Sequence, residues 1–295
     1  MLRQLDLLRN LNVSQIAILG KMRELSFGFS NLIYEMPDGN VCRVPRTPEA
    51  REASQRQRQF LPQLAACLPV PIPVPSKCDG ETMVYRKMEG EPLQPGMLQS
   101  LDANRIAGDM AAFMSALHSI PAESAKQWGV PSESRTAKLL AAADRVLPVI
   151  PNEWRRHASA WREQFIEMPH PDVPIHGDLW HENVLINRES GHVSGILDFD
   201  ETSIGDPAWD LATQLHCGRA FAQLVFEAYA HKDNSLWKRA EALFQLRPFE
   251  GLDWAVRYRD AAEFEDGLRK LQEVGVLPAG IIRNTTAPWL GTVAE

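Results

Sequence analysis

Three polar residues in the second half of the chain have the types and spacing needed to handle a phosphate group and a metal ion. Asp178 is followed after four residues by Asn183, and Asp198 stands further on. Carboxylate and amide oxygens are ligands that Mg²⁺ prefers, together with the phosphate oxygens of a substrate. A carboxylate beside such a site can orient a hydroxyl and receive its proton. We therefore interpret Asp178 as a hydroxyl-positioning base and Asn183 with Asp198 as Mg²⁺ ligands for phosphoryl transfer.

The segment between the two metal ligands predicts a β-hairpin that brings them together. Residues 184–187 form an apolar run, residues 188–192 a polar turn and residues 193–197 a second apolar run. With the turn centred between residues 190 and 191, Asn183 is expected opposite Asp198, and paired positions have Cβ atoms roughly 5 Å apart. The alternative is an ordinary hairpin whose acids are solvated turn residues.

The order of these residues can be compared with the protein-kinase pattern H-R-D-x-x-x-x-N followed by D-F-G. Here the run is H-G-D-x-x-x-x-N from His176 to Asn183, then D-F-D from Asp198, and residues 204–212 read I-G-D-P-A-W-D-L-A. With glycine in place of arginine, the pattern resembles the aminoglycoside and macrolide phosphotransferase family.

The resemblance implies an α+β, two-lobed protein-kinase-like fold. The small β-rich lobe would span residues 1–88 and bind the nucleotide. The larger, mostly helical lobe would span residues 89–295 and hold the catalytic and acceptor sites.

The resemblance also implies where ATP or GTP would bind. A loop before the first predicted strand would cover the phosphates, an arginine on the second strand would contact them, and the hinge backbone would hold the purine. The residues assigned to this site are Gly28, Ser30, Asn31, Arg43, Lys87 and Met88.

One position departs from the family pattern. The helix predicted over residues 48–68 should carry a glutamate that pairs with the strand cation, but the matching residue is Gln57. Glu52 lies upstream as a substitute, and the sequence leaves open which of the two pairs with Arg43. This departure motivates the alternative of a catalytically silent nucleotide-binding protein, whereas the intact Asp178, Asn183 and Asp198 favour an enzyme.

Other polar residues near the loop are assigned to its support. Asp206 before Pro207 is typical of a helix N-cap followed by proline, and we interpret it as structural. By the resemblance, Asp210 braces the catalytic loop, and His176 supports the loop by hydrogen bonding. For Asp200 two roles stay open, assisting the metal or capping a turn.

The rest of the chain predicts elements that surround this site. We expect an amphipathic helix over residues 1–24, a hairpin of strands 32–36 and 41–44, and a strand over 82–88 that leads into the hinge. Asp102 is predicted to cap a helix in which His118 is a packing residue. Helices are also expected over 133–147 and 152–168, and over most of 211–274 with breaks near 233 and 247.

Bulk properties limit the classes of function. The 295 residues, 44% of them hydrophobic and 23% charged, are typical of a globular protein. A net charge of −7 argues against nucleic-acid binding. The four cysteines are scattered, which suggests a reducing cytoplasm. No apolar run is long enough for a membrane span. We expect a cytoplasmic monomer with no nucleic-acid or membrane partner.

The acceptor is predicted to be a small molecule with a hydroxyl group. The resemblance to the family, together with the acidic character of residues 198–274, makes an aminoglycoside the first class. A macrolide is the second and choline or another metabolite the third. Candidate acids for ammonium groups are Glu201, Asp233, Glu263, Glu265 and Asp266. Candidate walls for an apolar pocket are Trp209, Trp237 and Trp254.

Overall fold

An antiparallel five-stranded sheet forms the first part of the protein in the computed structural model, which describes residues 23–27, 30–164 and 168–278. Its strand order is β1-β2-β3-β5-β4. The bounds are β1 Arg23–Phe27, β2 Asn31–Glu35, β3 Asn40–Pro45, β4 Lys77–Asp79 and β5 Thr82–Arg86.

The hairpin of β2 and β3 forms as the sequence predicts. Its register runs from Asn31 opposite Pro45 to Glu35 opposite Val41. The tight turn fits Asp-Gly chemistry, because Gly39 has a positive φ of 77° and the Asp38 carboxylate accepts from the Asn40 amide at 3.0 Å.

The first strand corrects the prediction for the start of the chain. Arg23 and Glu24 were assigned to the end of a helix and Leu25 to a loop, but all three lie in β1, which pairs with β2. Alternation is hard to recognise in so short an edge strand, and it is further disturbed by a register shift between Glu24 and Ser26. The rest of the predicted helix, residues 1–22, lies outside the described residues.

Helix α1, Pro48–Ala65, packs beside β3 and confirms the helix predicted there. Thr47 caps it by accepting from the Ala50 amide at 3.2 Å, and Pro48 occupies the first turn. Its buried face carries Phe60, Leu61 and Gln57, so a polar side chain is placed among apolar ones.

Helices make up most of the remaining chain. The bounds are α2 Ala103–His118, α3 Ala122–Gln127, α4 Arg135–Val146, α5 Asn152–Gln164, α6 Ala208–Gln214, α7 Arg219–Ala228, α8 Leu236–Leu246, α9 Pro248–Tyr258 and α10 Ala261–Glu273. The predicted cap Asp102 accepts from the amides of Asn104 and Arg105. The breaks at Gly218 and Asp260 were not predicted.

Two small sheets hold the catalytic segment against the helices. Strands β6 Glu91–Pro92, β8 Val184–Asn187 and β9 His192–Ile196 form one sheet, and β7 Val173–Ile175 pairs with β10 Ser203–Gly205 in the other. A continuous apolar core joins the helices to these strands. Together with the N-terminal sheet, this gives the two-lobed α+β fold expected from the sequence.

Within the described residues, no helix has the length and apolar character needed to span a bilayer.

The hairpin of β8 and β9 forms, but its register differs from the prediction by one residue. Val184 lies opposite Ile196, and the Leu197 amide donates to the Asn183 carbonyl at 2.8 Å. Asn183 is therefore opposite Leu197 rather than Asp198. The turn causes the difference: Asn187 lies opposite His192, so the turn is centred between residues 189 and 190, and the extra residue on β9 at the register shift between Leu185 and Ile186 recovers only one of the two residues of displacement.

Candidate active site

The side chain of Asp210 fixes the backbone of the loop that carries Asp178. The carboxylate of Asp210 accepts from the backbone amides of His176 and Gly177, both at 2.8 Å. Gly177 has a positive φ of 82°, and a Cβ there would collide with the carbonyl oxygen of Glu201. Glycine is therefore required where the protein-kinase pattern has arginine.

Asp210 is itself fixed by a buried chain of hydrogen bonds. His118 Nε2 lies 3.0 Å from an Asp210 carboxylate oxygen, and His118 Nδ1 lies 2.7 Å from the hydroxyl of Tyr229. Burial opposes the charge of Asp210, but His118 and the loop amides outweigh it and hold the pKa of Asp210 below its ordinary value. His118, predicted as a packing residue, thus joins α2 to the catalytic loop.

Asp178 lies between an amide and a guanidinium. Asn183 Nδ2 donates to the Asp178 carbonyl at 2.9 Å and to its Oδ2 at 3.2 Å, while Arg247 Nη2 donates to Oδ1 at 2.8 Å. Burial alone would raise the pKa of Asp178, but Arg247 and Arg135 outweigh it and lower the pKa. Asp178 is accordingly ionised at neutral pH and can accept a hydrogen bond from a hydroxyl.

Asn183 and Asp198 have the chemistry of a Mg²⁺ site. The side-chain amide nitrogen of Asn183 donates to the carbonyl and to the carboxylate of Asp178. The Oδ1 atom of Asn183 receives no hydrogen bond from a described residue. Oδ2 of Asp198 likewise receives no hydrogen bond from a described residue, and this side chain is 44% exposed. A hard amide oxygen and a carboxylate oxygen next to solvent suit a cation that keeps several waters and binds substrate phosphates.

Asp198 has an uncommon backbone conformation. Its φ of 57° lies in the left-handed region, where Asp and Asn are tolerated better than most residues. This turn ends β9 and directs the carboxylate toward Arg43, whose Nη2 donates to Oδ1 at 3.0 Å.

Arg43 lies at the centre of a buried polar network that joins the two lobes. It donates to Oε1 of Gln57 at 3.2 Å and to Oδ2 of Asp200 at 2.6 Å, and Asn31 Nδ2 donates to Asp200 at 2.9 Å. Gln57 also donates to Asp200. Burial opposes the charge of Arg43, but Asp198 and Asp200 outweigh it and raise its pKa.

This network bears on two questions that the sequence left open. Gln57, and not Glu52, contacts Arg43, because Glu52 is exposed and pairs with Arg56. Asp200 accepts from Arg43 and Asn31 at Oδ2 and from Gln57 at Oδ1, so it holds Arg43 in place, and its part in binding the metal stays a hypothesis. Burial and the neighbouring Asp198 carboxylate raise the pKa of Asp200 to about 6.

The other described residues assigned to the nucleotide site precede β2 or follow β5. Ser30 is exposed, and its carbonyl accepts from the Arg46 amide at 2.8 Å. Lys87 and Met88 follow β5, which ends at Arg86 rather than continuing to Met88 as predicted. The Lys87 ammonium lies 2.9 Å from Glu35, and the Met88 side chain occupies the space beside Gly195 that a Cβ would fill. Gly28 lies outside the described residues.

The acids proposed for ammonium groups are mostly engaged by cations. Glu201 is bound by Arg135, Asp233 by Arg239 and Asp266 by Arg269 and Lys270, while Glu263 and Glu265 lie on α10. Of the candidate aromatic residues, Trp209 is buried and donates to Thr136 at 3.2 Å, and Trp237 meets Phe226 edge to face with ring centroids 5.4 Å apart.

Two residues near Asp178 were not predicted from the sequence: Arg247, which donates to its Oδ1, and His216, whose pKa is affected by the charges of both. Arg247 was noted only as part of a helix break, and His216 and Phe244 were not singled out. The rings of His216 and Phe244 meet edge to face with centroids 5.0 Å apart. The ring centroid of Trp180 lies 6.1 Å from that of His216. Trp180 lies two residues after Asp178, whereas His216, Phe244 and Arg247 come from distant parts of the chain, so no local sequence signal pointed to this surface.

Comparisons with known proteins agree with this geometry. A model of the phosphotransferase enzyme family matches residues 21–243. Viomycin phosphotransferase from Streptomyces vinaceus is 28% identical over 194 residues, which are 63% of this chain and 68% of that protein. The GDP complex of wild-type aminoglycoside 2′-phosphotransferase IIIa superposes with a TM-score of 0.77 at 26% identity, covering 86% of this chain and 91% of that one. A macrolide 2′-phosphotransferase from Brachybacterium faecium shares the fold, with a TM-score of 0.65 at 22% identity over 90% of this chain and 93% of that one.

Proposed function

The chain belongs to the phosphotransferase enzyme family, and from this we propose that it transfers the γ-phosphoryl group of Mg²⁺–ATP or Mg²⁺–GTP to a hydroxyl of a small molecule. One observation carries the proposal. Asn183 donates to Asp178, Arg43 donates to Asp198 from a distant part of the chain, and the backbone bond from the Leu197 amide to the Asn183 carbonyl holds these two pairs next to each other. A carboxylate for the hydroxyl, oxygens for a cation and a guanidinium for phosphates are the parts that phosphoryl transfer needs.

In this mechanism Asp178 receives the hydrogen bond of the acceptor hydroxyl and aligns its oxygen with the γ-phosphorus. Asn183 fixes the Asp178 carboxylate through Oδ2, so the attacking oxygen has a defined position. The proton passes to Asp178 as the new oxygen–phosphorus bond forms and the bond to the β-phosphate oxygen breaks. Mg²⁺, held by Asn183 and Asp198, would offset the charge of the phosphates.

Arg43 would bind the α- and β-phosphates from its position on β3. Its Nε is buried and has no acceptor among the described residues, so a phosphate oxygen can satisfy it. Gln57 and Asp200 hold the guanidinium in place. We assign Gly28, Ser30 and Asn31 to the phosphate side and the backbone of Lys87 and Met88 to the purine side of the same nucleotide. The boundary between the nucleotide lobe and the catalytic lobe is placed between residues 88 and 89.

For the acceptor, an aminoglycoside remains our first class and a macrolide the second, which the named activities of the relatives support. A metabolite hydroxyl such as that of choline is the third. We propose that the enzyme acts as a cytoplasmic monomer.

The experiment that tests the function is phosphate transfer from labelled ATP and GTP to a panel of aminoglycosides, viomycin, macrolides and choline. The Asp178→Asn variant is the matched control for each acceptor. A labelled product that requires Asp178 supports the proposal. Tight Mg²⁺-dependent nucleotide binding without any product would favour the silent nucleotide-binding protein instead.

A further inference from the structure

The guanidinium of Arg247 stands where the acceptor must approach Asp178. Arg247 precedes α9, and its Nη2 donates to Oδ1 of Asp178 at 2.8 Å. Its side chain is only 16% exposed, and its Nε is 3.9 Å from Glu250. Nη1 is buried and has no hydrogen-bond partner among the described residues. A buried donor without an acceptor is costly, so this nitrogen is suited to an oxygen that arrives with a ligand.

The two oxygens of Asp178 are not equivalent for an incoming hydroxyl. Oδ2 receives the Asn183 amide, which faces the proposed metal side, whereas Oδ1 receives Arg247. A reacting hydroxyl within hydrogen-bond reach of the carboxylate, about 2.6–3.2 Å, therefore brings its neighbouring substituents close to Arg247.

Arg247 supplies local positive charge at this position. Its neighbour Glu250 is shared with Arg135, whose Nη2 lies 3.0 Å from that carboxylate and which also binds Glu201. The two nearby glutamates are therefore engaged by arginine. Like charges at close approach repel, and this repulsion is strongest where water is excluded.

Aromatic rings form the wall beside the guanidinium. The His216 ring lies between the other two and meets both Trp180 and Phe244 edge to face. Partial burial and the nearby charge of Arg247 lower the pKa of His216 to about 4, so this ring is uncharged at neutral pH. A wall of this kind suits the apolar face of a sugar ring or another flat neutral group.

We propose that Arg247 is a specificity-determining residue of the acceptor site, which binds an oxygen next to the reacting hydroxyl and disfavours an ammonium group there. This inference rests on the proposed function and narrows its substrate class. The preferred acceptor has a hydroxyl flanked by hydroxyl, carbonyl or carboxylate oxygens. Within an aminoglycoside, the same rule selects a hydroxyl that lies away from the amines.

The test uses three probes that share one chain of hydroxyls and differ in a terminal group. D-gluconate ends in a carboxylate, D-sorbitol in a hydroxymethyl group and 1-amino-1-deoxy-D-sorbitol in an ammonium group. The affinity for each probe is measured at pH 7.5 from its effect on the release of ADP or GDP from the Mg²⁺–nucleotide. The proteins are the wild type, Arg247→Lys, Arg247→Glu and a control, Arg257→Gln. Arg257 lies on the same helix, is 59% exposed and pairs with Asp253.

We expect the wild type to prefer the carboxylate probe over the ammonium probe by about tenfold or more, since a charge-assisted hydrogen bond is replaced by repulsion. Arg247→Lys and Arg257→Gln should keep this order, and Arg247→Glu should reverse it. A general loss of structure would weaken the binding of all three probes alike and would not reverse the order of their affinities.

Two results would overturn the assignment: a wild type that does not discriminate or prefers the ammonium probe, or an Arg247→Glu variant that keeps the wild-type order. If nucleotide turnover requires Asp178 but the order of the three probe affinities does not follow their charge, the role assigned to Arg247 is wrong and the proposed function stands. If neither Mg²⁺–ATP nor Mg²⁺–GTP is turned over, the proposed function fails and the inference with it.

Discussion

Oδ1 of Asp198 accepts a hydrogen bond from Nη2 of Arg43 at 3.0 Å, although the two residues are 155 positions apart in the chain. The contact joins β3 of the N-terminal sheet to the turn that ends β9. A proposed phosphate ligand and a proposed metal ligand are thereby coupled, so a change at either residue should alter nucleotide binding as a whole.

Replacing Asp178 by asparagine should abolish phosphate transfer with little effect on nucleotide affinity. The amide cannot accept the hydroxyl proton, and loss of a general base typically reduces the rate by about 10²- to 10⁴-fold. The measurement is a single-turnover transfer rate beside a nucleotide titration. An unimpaired rate would remove Asp178 from its assigned role.

Asp198 offers a pair of variants that separates metal binding from backbone strain. Asp198→Asn keeps a residue that tolerates the left-handed conformation, so it should fold normally but lose about tenfold or more of the Mg²⁺-dependent part of nucleotide affinity. Asp198→Ala should in addition lower the free energy of unfolding by about 1–2 kcal/mol. Nucleotide titrations with and without Mg²⁺ and chemical denaturation check the two effects. Equal Mg²⁺ dependence in the wild type and Asp198→Asn would argue against the ligand assignment.

Restoring the family glutamate at position 57 should destabilise this protein. Gln57 donates to Asp200 through its amide, and a carboxylate there would lose that donor and repel Asp200 in a buried site. We expect Gln57→Glu to lower the free energy of unfolding by about 1–3 kcal/mol, the usual effect of an unsatisfied buried polar group. The control is Glu52→Gln on the exposed side of the same helix. Gln57→Glu as stable as the wild type would show that Arg43 can accommodate both acids.

The stability of the protein should depend on pH through Asp210. Its pKa in the folded state lies below the unfolded value of about 3.9, so the unfolded state binds the proton first as the pH falls. The stability contributed by the carboxylate is therefore present above about pH 4 and is lost as the pH falls through the folded pKa. Asp210→Asn should cost about 1–3 kcal/mol at pH 7, and its difference from the wild type should shrink toward pH 3.

Denaturation curves between pH 7 and pH 3 measure this effect. The exposed residue Asp144, which pairs with Arg162, provides the control. Asp144→Asn should change the unfolding free energy by less than about 1 kcal/mol at any pH, as is usual for a surface pair. A pH-independent difference for Asp210→Asn would contradict the ionised state assigned to it.

The local sequence predicted most of the elements because their signals are local. Thr47 and Pro48 begin α1, Asp102 caps α2, and the Asp-Gly turn joins β2 to β3. The hairpin of β8 and β9 was also predicted, but the centre of its turn and the register shift at Leu185 were not, since both depend on how the two strands pair.

The candidate site was predictable where one short segment carries it and not where distant helices complete it. The segment from His176 to Asp210 contains the hydroxyl base, the metal ligands and the brace. Arg247 contacts Asp178 across 69 positions, and nothing in its local sequence distinguishes it from a helix-capping residue. For the same reason, the sequence could not decide whether Gln57 or Glu52 contacts Arg43. The structure decides it, because Gln57 is buried and Glu52 is exposed.

The chain of hydrogen bonds through Asp210, His118 and Tyr229 also has a consequence for the order of folding. The amides of His176 and Gly177 find their acceptor on α6, and that acceptor is fixed by a residue of α2 and by one that follows α7. A nascent polypeptide that has not yet presented Tyr229 lacks the last partner in this series. Hydrogen exchange at these two amides should therefore report the cooperative unit formed by the helices, and catalytic competence should appear only after that unit has assembled.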